Sequence, residues 1–211
     1  MAEESGLIVD LGYWILEQAC KQGQTWLKSS VQPISMAVNV SSIQLEDPNF
    51  IQRVSEITCE TGFPSELLHL ELTESVLAEN FEGLAKVLDN LQSQGIKIVI
   101  DDFGTGFSSL AYLQHFNFNS LKIDRSFVTG IEGKPRNQAI VDSIIQLSSV
   151  LSFDVVGEGV ETEAEFDLLR NKGCHVIQGY LFSRPLGVVG WADFTADLED
   201  FALNPLSLRT E

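Results

Sequence analysis

The 211-residue chain reads as an α/β fold, an incomplete TIM-type (β/α) barrel carrying about six of the eight strands that close such a ring. Two observations lead there. Short β-rich runs alternate along the chain with longer amphipathic ones, the rhythm of a parallel sheet with crossover helices. Within the β-rich runs one parity is aliphatic, while the other is smaller or polar and ends in functional groups.

The elements follow in order. A helix is expected at about 7–28, where Leu7, Ile8, Leu11, Trp14, Ile15 and Ala19 recur at helical spacing with no strand before them. Strands are expected near 34–40, 68–73, 96–101, 120–123, 153–157 and 174–178, and further helices at about 47–60, 81–94, 108–114, 136–151 and 162–171. Asp47-Pro48 reads as an N-cap followed by proline at the first helical position, and Gly95 and Gly173 fall where helix C-caps belong. From Trp191 an acidic tail with Asp193, Phe194, Asp197 and Phe201 reads as a helix packed over one end. With no low-complexity linker and no repeat beyond the βα rhythm, residues 1–211 read as a single domain.

The parity argument separates a barrel from an open sheet. Met36, Val38 and Val40, Leu68, Leu70 and Leu72, Ile96, Ile98 and Ile100, and Leu121 and Ile123 form an aliphatic face suited to a cover of helices. The opposite face holds Ser35, Ala37 and Asn39, His69, Glu71 and Thr73, Lys97, Val99 and Asp101, Ser120 and Lys122, Asp154, Val156 and Glu158, and Val176 and Gln178. A doubly wound sheet is covered by helices on both faces and reads as near-continuous apolar runs. A barrel shares one face as its interior and gathers its chemistry at the C-terminal strand ends.

Composition narrows the classes. At 44% hydrophobic and 20% charged, the chain suits one soluble domain with a substantial core. No apolar run approaches the ~20 residues that span a bilayer, and the acidic opening residues are unlike a signal peptide, so a cytoplasmic location is expected. Cys20, Cys59 and Cys174 are odd in number and widely spaced, which indicates neither a disulfide framework nor a zinc site. A formal charge of -17 argues against a nucleic-acid polymer or an anionic membrane as partner.

Asn39, Glu71, Asp101, Asp102 and Glu158 would meet in one mouth as hard oxygen donors, a set that suits Mg²⁺ or Mn²⁺. In the adjacent pair Asp101-Asp102, one carboxylate can bridge two ions while its neighbour holds one, as in two-metal phosphoryl-transfer sites. Lys122 would orient an attacking water or neutralise phosphate charge. A lone strand-end acid is more often a helix cap or a solvated loop residue, so Asp102 and Glu74 each carry that plainer reading, and Lys122 that of an ordinary ion-pair partner. Gly104-Thr105-Gly106-Phe107-Ser108-Ser109 is a glycine-rich turn with serine caps where backbone N–H groups could receive phosphate, or simply a flexible connection. His69, His115 and His175 lack ligand spacing.

With those residues in view, the chain resembles the EAL family of bacterial cyclic-di-GMP phosphodiesterases over nearly its whole length. The matching motifs are Asn39-Val40-Ser41, Glu71-Leu72-Thr73-Glu74-Ser75, Asp101-Asp102-Phe103-Gly104-Thr105-Gly106, Leu121-Lys122-Ile123-Asp124, Glu158-Gly159-Val160-Glu161 and Gln178-Gly179-Tyr180. The resemblance implies that Asn39, Glu71 and Asp101 hold one metal and that Asp101, Asp102 and Glu158 surround a second. It further implies that Lys122 holds the hydrolytic water and that Glu74 braces the glycine-rich loop, while Gln178 and Asp102 face substrate, with Gln178 on a guanine. The implied reaction opens cyclic-di-GMP to linear pGpG, and the region around 101–110 resembles the family's dimerisation segment. One departure is large. The family's Glu-x-Leu on its second strand has no counterpart, and residues 2–8 resemble the sequence just after that strand. Two strands, a metal-ligating glutamate and a substrate-contacting arginine are then missing. The expectation is a weak or inactive phosphodiesterase homologue, or a binding or interaction module without hydrolysis, with exposed sheet edges that drive self-association through exchanged elements.

Overall fold

The structure is a computed structural model and describes residues 6–29, 33–79, 81–106, 113, 115–188, 190, 191 and 194. The helix expected at 108–114, residues 107–109 of the glycine-rich turn, and the tail positions Asp193, Asp197 and Phe201 lie outside the described residues, isolated positions apart.

Six parallel strands form one sheet in the order β1-β2-β3-β4-β5-β6. They are β1 (Met36–Asn39), β2 (Leu68–Thr73), β3 (Lys97–Phe103), β4 (Ser120–Ile123), β5 (Asp154–Gly157) and β6 (Val176–Ile177). The helices are α1 (Leu7–Ser29), α2 (Ser42–Leu45), α3 (Phe50–Thr61), α4 (Val76–Glu79), α5 (Phe81–Ser93), α6 (Arg125–Val128), α7 (Pro135–Leu151) and α8 (Glu163–Asn171). Each strand pairs with its sequence neighbour, as short βα units dictate, and the sheet curls into a half-barrel whose edges are β1 and β6.

The aliphatic parity is buried beneath the helices. Leu68, Leu70, Leu72, Ile98, Ile100, Leu121 and Ile123 are fully enclosed with Val54, Ile57, Leu88 and Leu91 of α3 and α5 in one core. The opposite parity behaves differently from centre to edge. Glu71, Val99, Asp101 and Lys122 are buried near the middle of the concave face, whereas Ala37, Asn39 and Val176 on the edge strands, and Gln178 just beyond β6, are exposed.

Several boundaries differ from the sequence reading, β1 among them, which spans Met36–Asn39 where 34–40 was expected. The helix expected from 47 starts at Phe50, because the Asp47 carboxylate accepts the backbone N–H of Asn49 and closes a local turn. Strand β3 runs two residues beyond 101, to Phe103. Strand β6 shortens to Val176–Ile177, since β5 alone pairs with it. Glycine C-caps stand where they were expected, with Gly95 and Gly173 at φ 92° and 96°.

Two local devices set the framework for the strand ends. Gly23 of α1 lets the helix close on β1: a Cβ there would lie 2.6 Å from Met36 and from Phe63. At α8, Thr162 and Glu165 form a capping box. Glu165 Oε2 accepts the N–H groups of Glu161 (2.9 Å) and Thr162 (3.1 Å), and Oε1 accepts that of Gly130 (2.7 Å). This one buried carboxylate ties the loop after β5 to the turn after α6.

Candidate functional site

The site forms where β2, β3, β4 and the end of β5 present side chains to the concave face. Register brings them level: Asn39 lies opposite Glu71, Thr73 opposite Asp101, and Lys122 opposite Val156. Glu158 follows β5 and is held there by its N–H, which donates to the Ile123 carbonyl (3.2 Å).

Strict alternation would send Asp101 and Asp102 to opposite faces. A bulge prevents this: between the pairs Ile100–Leu121 and Phe103–Ile123, β3 carries one residue more than β4. Asp102 takes up the irregularity with φ 53°, a left-handed conformation that Asp adopts more readily than most residues. The Asp102 N–H donates to Asp101 Oδ1 (2.9 Å), and the two carboxylates share one side of the sheet with Glu158. One oxygen from each of Asp101, Asp102 and Glu158 lies within 4.8 Å of the other two.

Lys122 is the centre of charge. The residue is 5% exposed, and its ammonium sits 2.6 Å from Glu158 Oε1, 3.1 Å from Glu71 Oε2 and 3.1 Å from Asp101 Oδ1. Burial pulls its pKa down, but the hydrogen bond to Glu158 and the charges of Glu71, Glu158 and Asp101 outweigh that, so it stays protonated well above the usual lysine range. Burial raises the pKa of Glu71 and of Glu158, with Lys122 opposing it in both. Asp102 is raised too, by burial and then by the charges of Asp101 and Asp124. Four carboxylates against one ammonium leave negative charge uncompensated among hard oxygen donors. That is the chemistry that attracts a divalent cation, and the Asp101, Asp102 and Glu158 cluster fits one.

The remaining expected residues divide into braces and rim. Glu74 is buried at the end of β2; its N–H donates to the Asp101 carbonyl (3.2 Å), and its Oε2 accepts the Gly104 N–H (2.9 Å). Glu74 Oε1 is buried with no hydrogen-bond partner among the described residues. Gly104, at φ 98°, packs so tightly on Phe127 that a Cβ would come within 2.7 Å of the ring. Asn39 is exposed at the end of β1. Gln178 is exposed just beyond β6, its N–H donating to the Gly157 carbonyl (2.9 Å). Asp124, which its motif leaves without a role, caps α6 by accepting the Ser126 N–H (3.0 Å) and adds its charge beside Asp102. An aspartate two residues before that N–H was the available signal. None of the three histidines is in the cluster.

The sequence profile of the EAL domain matches residues 1–185. The chain belongs to the EAL domain family. Signaling protein YkoW of Bacillus subtilis is 42% identical over 186 residues, covering 88% of this chain and 23% of that protein. The bifunctional diguanylate cyclase/cyclic di-GMP phosphodiesterase MucR of Pseudomonas aeruginosa is 38% identical over 186 residues, covering 88% of this chain and 27% of that protein. The chain thus spans about a quarter of the length of the curated relatives it matches. Among solved EAL structures, the PaMucR phosphodiesterase in complex with c-di-GMP superposes with a TM-score of 0.83 at 38% identity, over 88% of this chain and 75% of that one. A manganese and cyclic-di-GMP complex of Klebsiella pneumoniae BlrP1 gives a TM-score of 0.73 at 30% identity, over 82% and 45%. These EAL neighbours share the curled parallel sheet. Among the described residues of this EAL chain, no helix is long and apolar enough to cross a membrane.

Proposed function

We propose that this EAL chain carries a cyclic-di-GMP phosphodiesterase site that hydrolyses one phosphodiester to give linear pGpG. The observation that carries the reading is the convergence of Asp101, Asp102 and Glu158 with Glu71 around the buried Lys122. Similarity to relatives named as cyclic di-GMP phosphodiesterases supports it. Asn39, Glu71 and Asp101 would hold one Mg²⁺ or Mn²⁺, and Asp101, Asp102 and Glu158 a second. Bound there, such ions supply Lewis acidity toward the phosphoryl oxygens and lower the pKa of a coordinated water. Lys122 would turn one N–H from its carboxylate partners to the hydrolytic water, whose OH joins phosphorus while its remaining proton leaves with the ribose oxygen. Glu74 holds the Gly104 turn beside this centre. Asp102 and Gln178 face the substrate, Gln178 on a guanine. A cytoplasmic setting fits a nucleotide substrate.

Asn39 stands exposed on an edge strand, so turnover by this chain is expected to be weak. Incubation with cyclic-di-GMP and Mn²⁺ or Mg²⁺, with chromatography of products, tests this. Slow pGpG formation abolished by Lys122→Ala supports the reading, whereas turnover that survives Lys122→Ala refutes it. The exposed edge also favours a second reading, binding without hydrolysis. Calorimetric titration of cyclic-di-GMP with and without metal separates the two, since heat of binding without product marks a binding module.

We further propose self-association as a homodimer or larger assembly. Two parallel edge strands and an exposed apolar stripe on α1 (Leu7, Leu11, Trp14 and Ile15) support it.

A further inference from the structure

The strand that ends in Asn39 is an edge, so only one side of it is held by the sheet. Val40 continues that pairing through its N–H to the Glu71 carbonyl (2.9 Å). What fixes the chain immediately afterwards is α2. Ser41 caps this helix, and Gln44, three residues on, completes a capping box: Gln44 Oε1 accepts the Ser41 N–H (3.2 Å) and lies 3.4 Å from Ser41 Oγ. Gln44 is 4% exposed, unusual for a side chain that on most helix starts stays at the surface.

Its burial comes from α1. The Gln44 amide rests directly on the backbone of Gly12, where an added Cβ would meet Nε2 at 1.9 Å and Cδ at 2.4 Å. Gly12 lies in the interior of a helix, where glycine is unfavourable relative to alanine, so the close approach is its structural justification. A continuous line of contact therefore runs from Gly12 of α1 through the Gln44 side chain and Ser41 to Asn39, two residues away at the rim of the carboxylate cluster.

We infer that Gln44 is a positioning residue for Asn39, holding the end of β1 through Ser41 and taking its own position from Gly12 of α1. The inference rests on the proposed reading in which Asn39 binds metal, and it adds that the position of α1 sets how well Asn39 does so. A group that orients a ligand without touching the metal typically changes metal affinity about 10–100-fold when it is removed.

The test is Mn²⁺ affinity, read as free Mn²⁺ by electron paramagnetic resonance, together with thermal melting of the same metal-free samples. Asn39→Ala is the reference and should weaken binding. Gln44→Met keeps the length and removes the acceptor, and it should weaken binding about tenfold or more. Gln44→Glu keeps the acceptor in its usual capping-box form and should restore affinity close to that of the unchanged chain. Gly12→Ala should weaken binding by displacing the amide, and it should add nothing on top of Gln44→Met. If Gln44→Met does not fold, Gly12→Ala alone carries the test. Weakened binding in Asn39→Ala but unchanged binding in Gln44→Met and Gly12→Ala, even with lowered melting temperatures, overturns the inference and leaves the metal reading intact. Unchanged binding in Asn39→Ala removes Asn39 as a ligand, and the inference with it.

Discussion

At the scale of single residues, Lys122 stands out because it pairs with three carboxylates that no other described cation reaches. Taking one partner out of a buried ionic network leaves the others desolvated and unpaired, which costs about 3–5 kcal/mol. Lys122→Met should therefore lower the unfolding free energy by roughly that amount in chelator, and Mn²⁺ should recover part of the loss by replacing the missing positive charge. Urea titrations with and without metal check this; a variant as stable as the parent in chelator would show that the ammonium contributes no net stability. The same cluster predicts a pH dependence for metal binding. Burial raises Glu71 and Glu158 above the ordinary glutamate range, so protons compete with a cation sooner than at surface carboxylates. Mn²⁺ affinity should hold at neutral pH and begin to fall, as pH decreases, while still above the usual glutamate pKa of about 4.3. Titrations at a series of pH values check it, and a decline confined to lower pH would contradict it.

Among the elements, α8 depends most visibly on one side chain. Glu165 is desolvated, which acts to raise its pKa, but N–H donors from Gly130, Glu161 and Thr162 and the Thr162 side chain prevail and hold it below the usual value. A depressed folded pKa means stability that is fully present above the unfolded pKa and lost as pH falls through the folded one. Glu165→Gln should destabilise by about 1–3 kcal/mol at neutral pH, and the gap to the parent should narrow on acidification below the usual glutamate range. Denaturation at pH 7 and in mild acid measures both, and a gap that widens in acid would contradict the assignment. Since Glu165 also fixes the loop carrying Glu158, Mn²⁺ affinity should fall with it.

For the whole molecule, β1 and β6 are the edges of the half-barrel among the described residues, and α1 shows Trp14 at 58% and Leu7 at 63% exposure. At micromolar concentration the chain should sediment as a dimer or larger species, and Leu11→Glu with Trp14→Glu should shift it toward monomer. Sizing with light scattering checks this; a strictly monomeric parent chain would contradict it.

Periodicity and parity are enough to read six parallel strands, the aliphatic face beneath the helices, and Glu71, Asp101, Lys122 and Glu158 on one side, because alternation along a regularly paired strand is a local geometric rule. They were not enough for Asp102, whose direction depends on a bulge set by pairing with β4, nor for the start of α3, where the Asp47 carboxylate turned inward on its own loop. Tertiary structure alone decided that Lys122 pairs with carboxylates from three other segments and that Gln44 rests on Gly12. Those contacts join residues far apart in the chain, 51 positions in the case of Glu71 and Lys122. The sequence names the chemical groups and the face each strand presents, whereas the distances at which they meet arise only when the sheet curls.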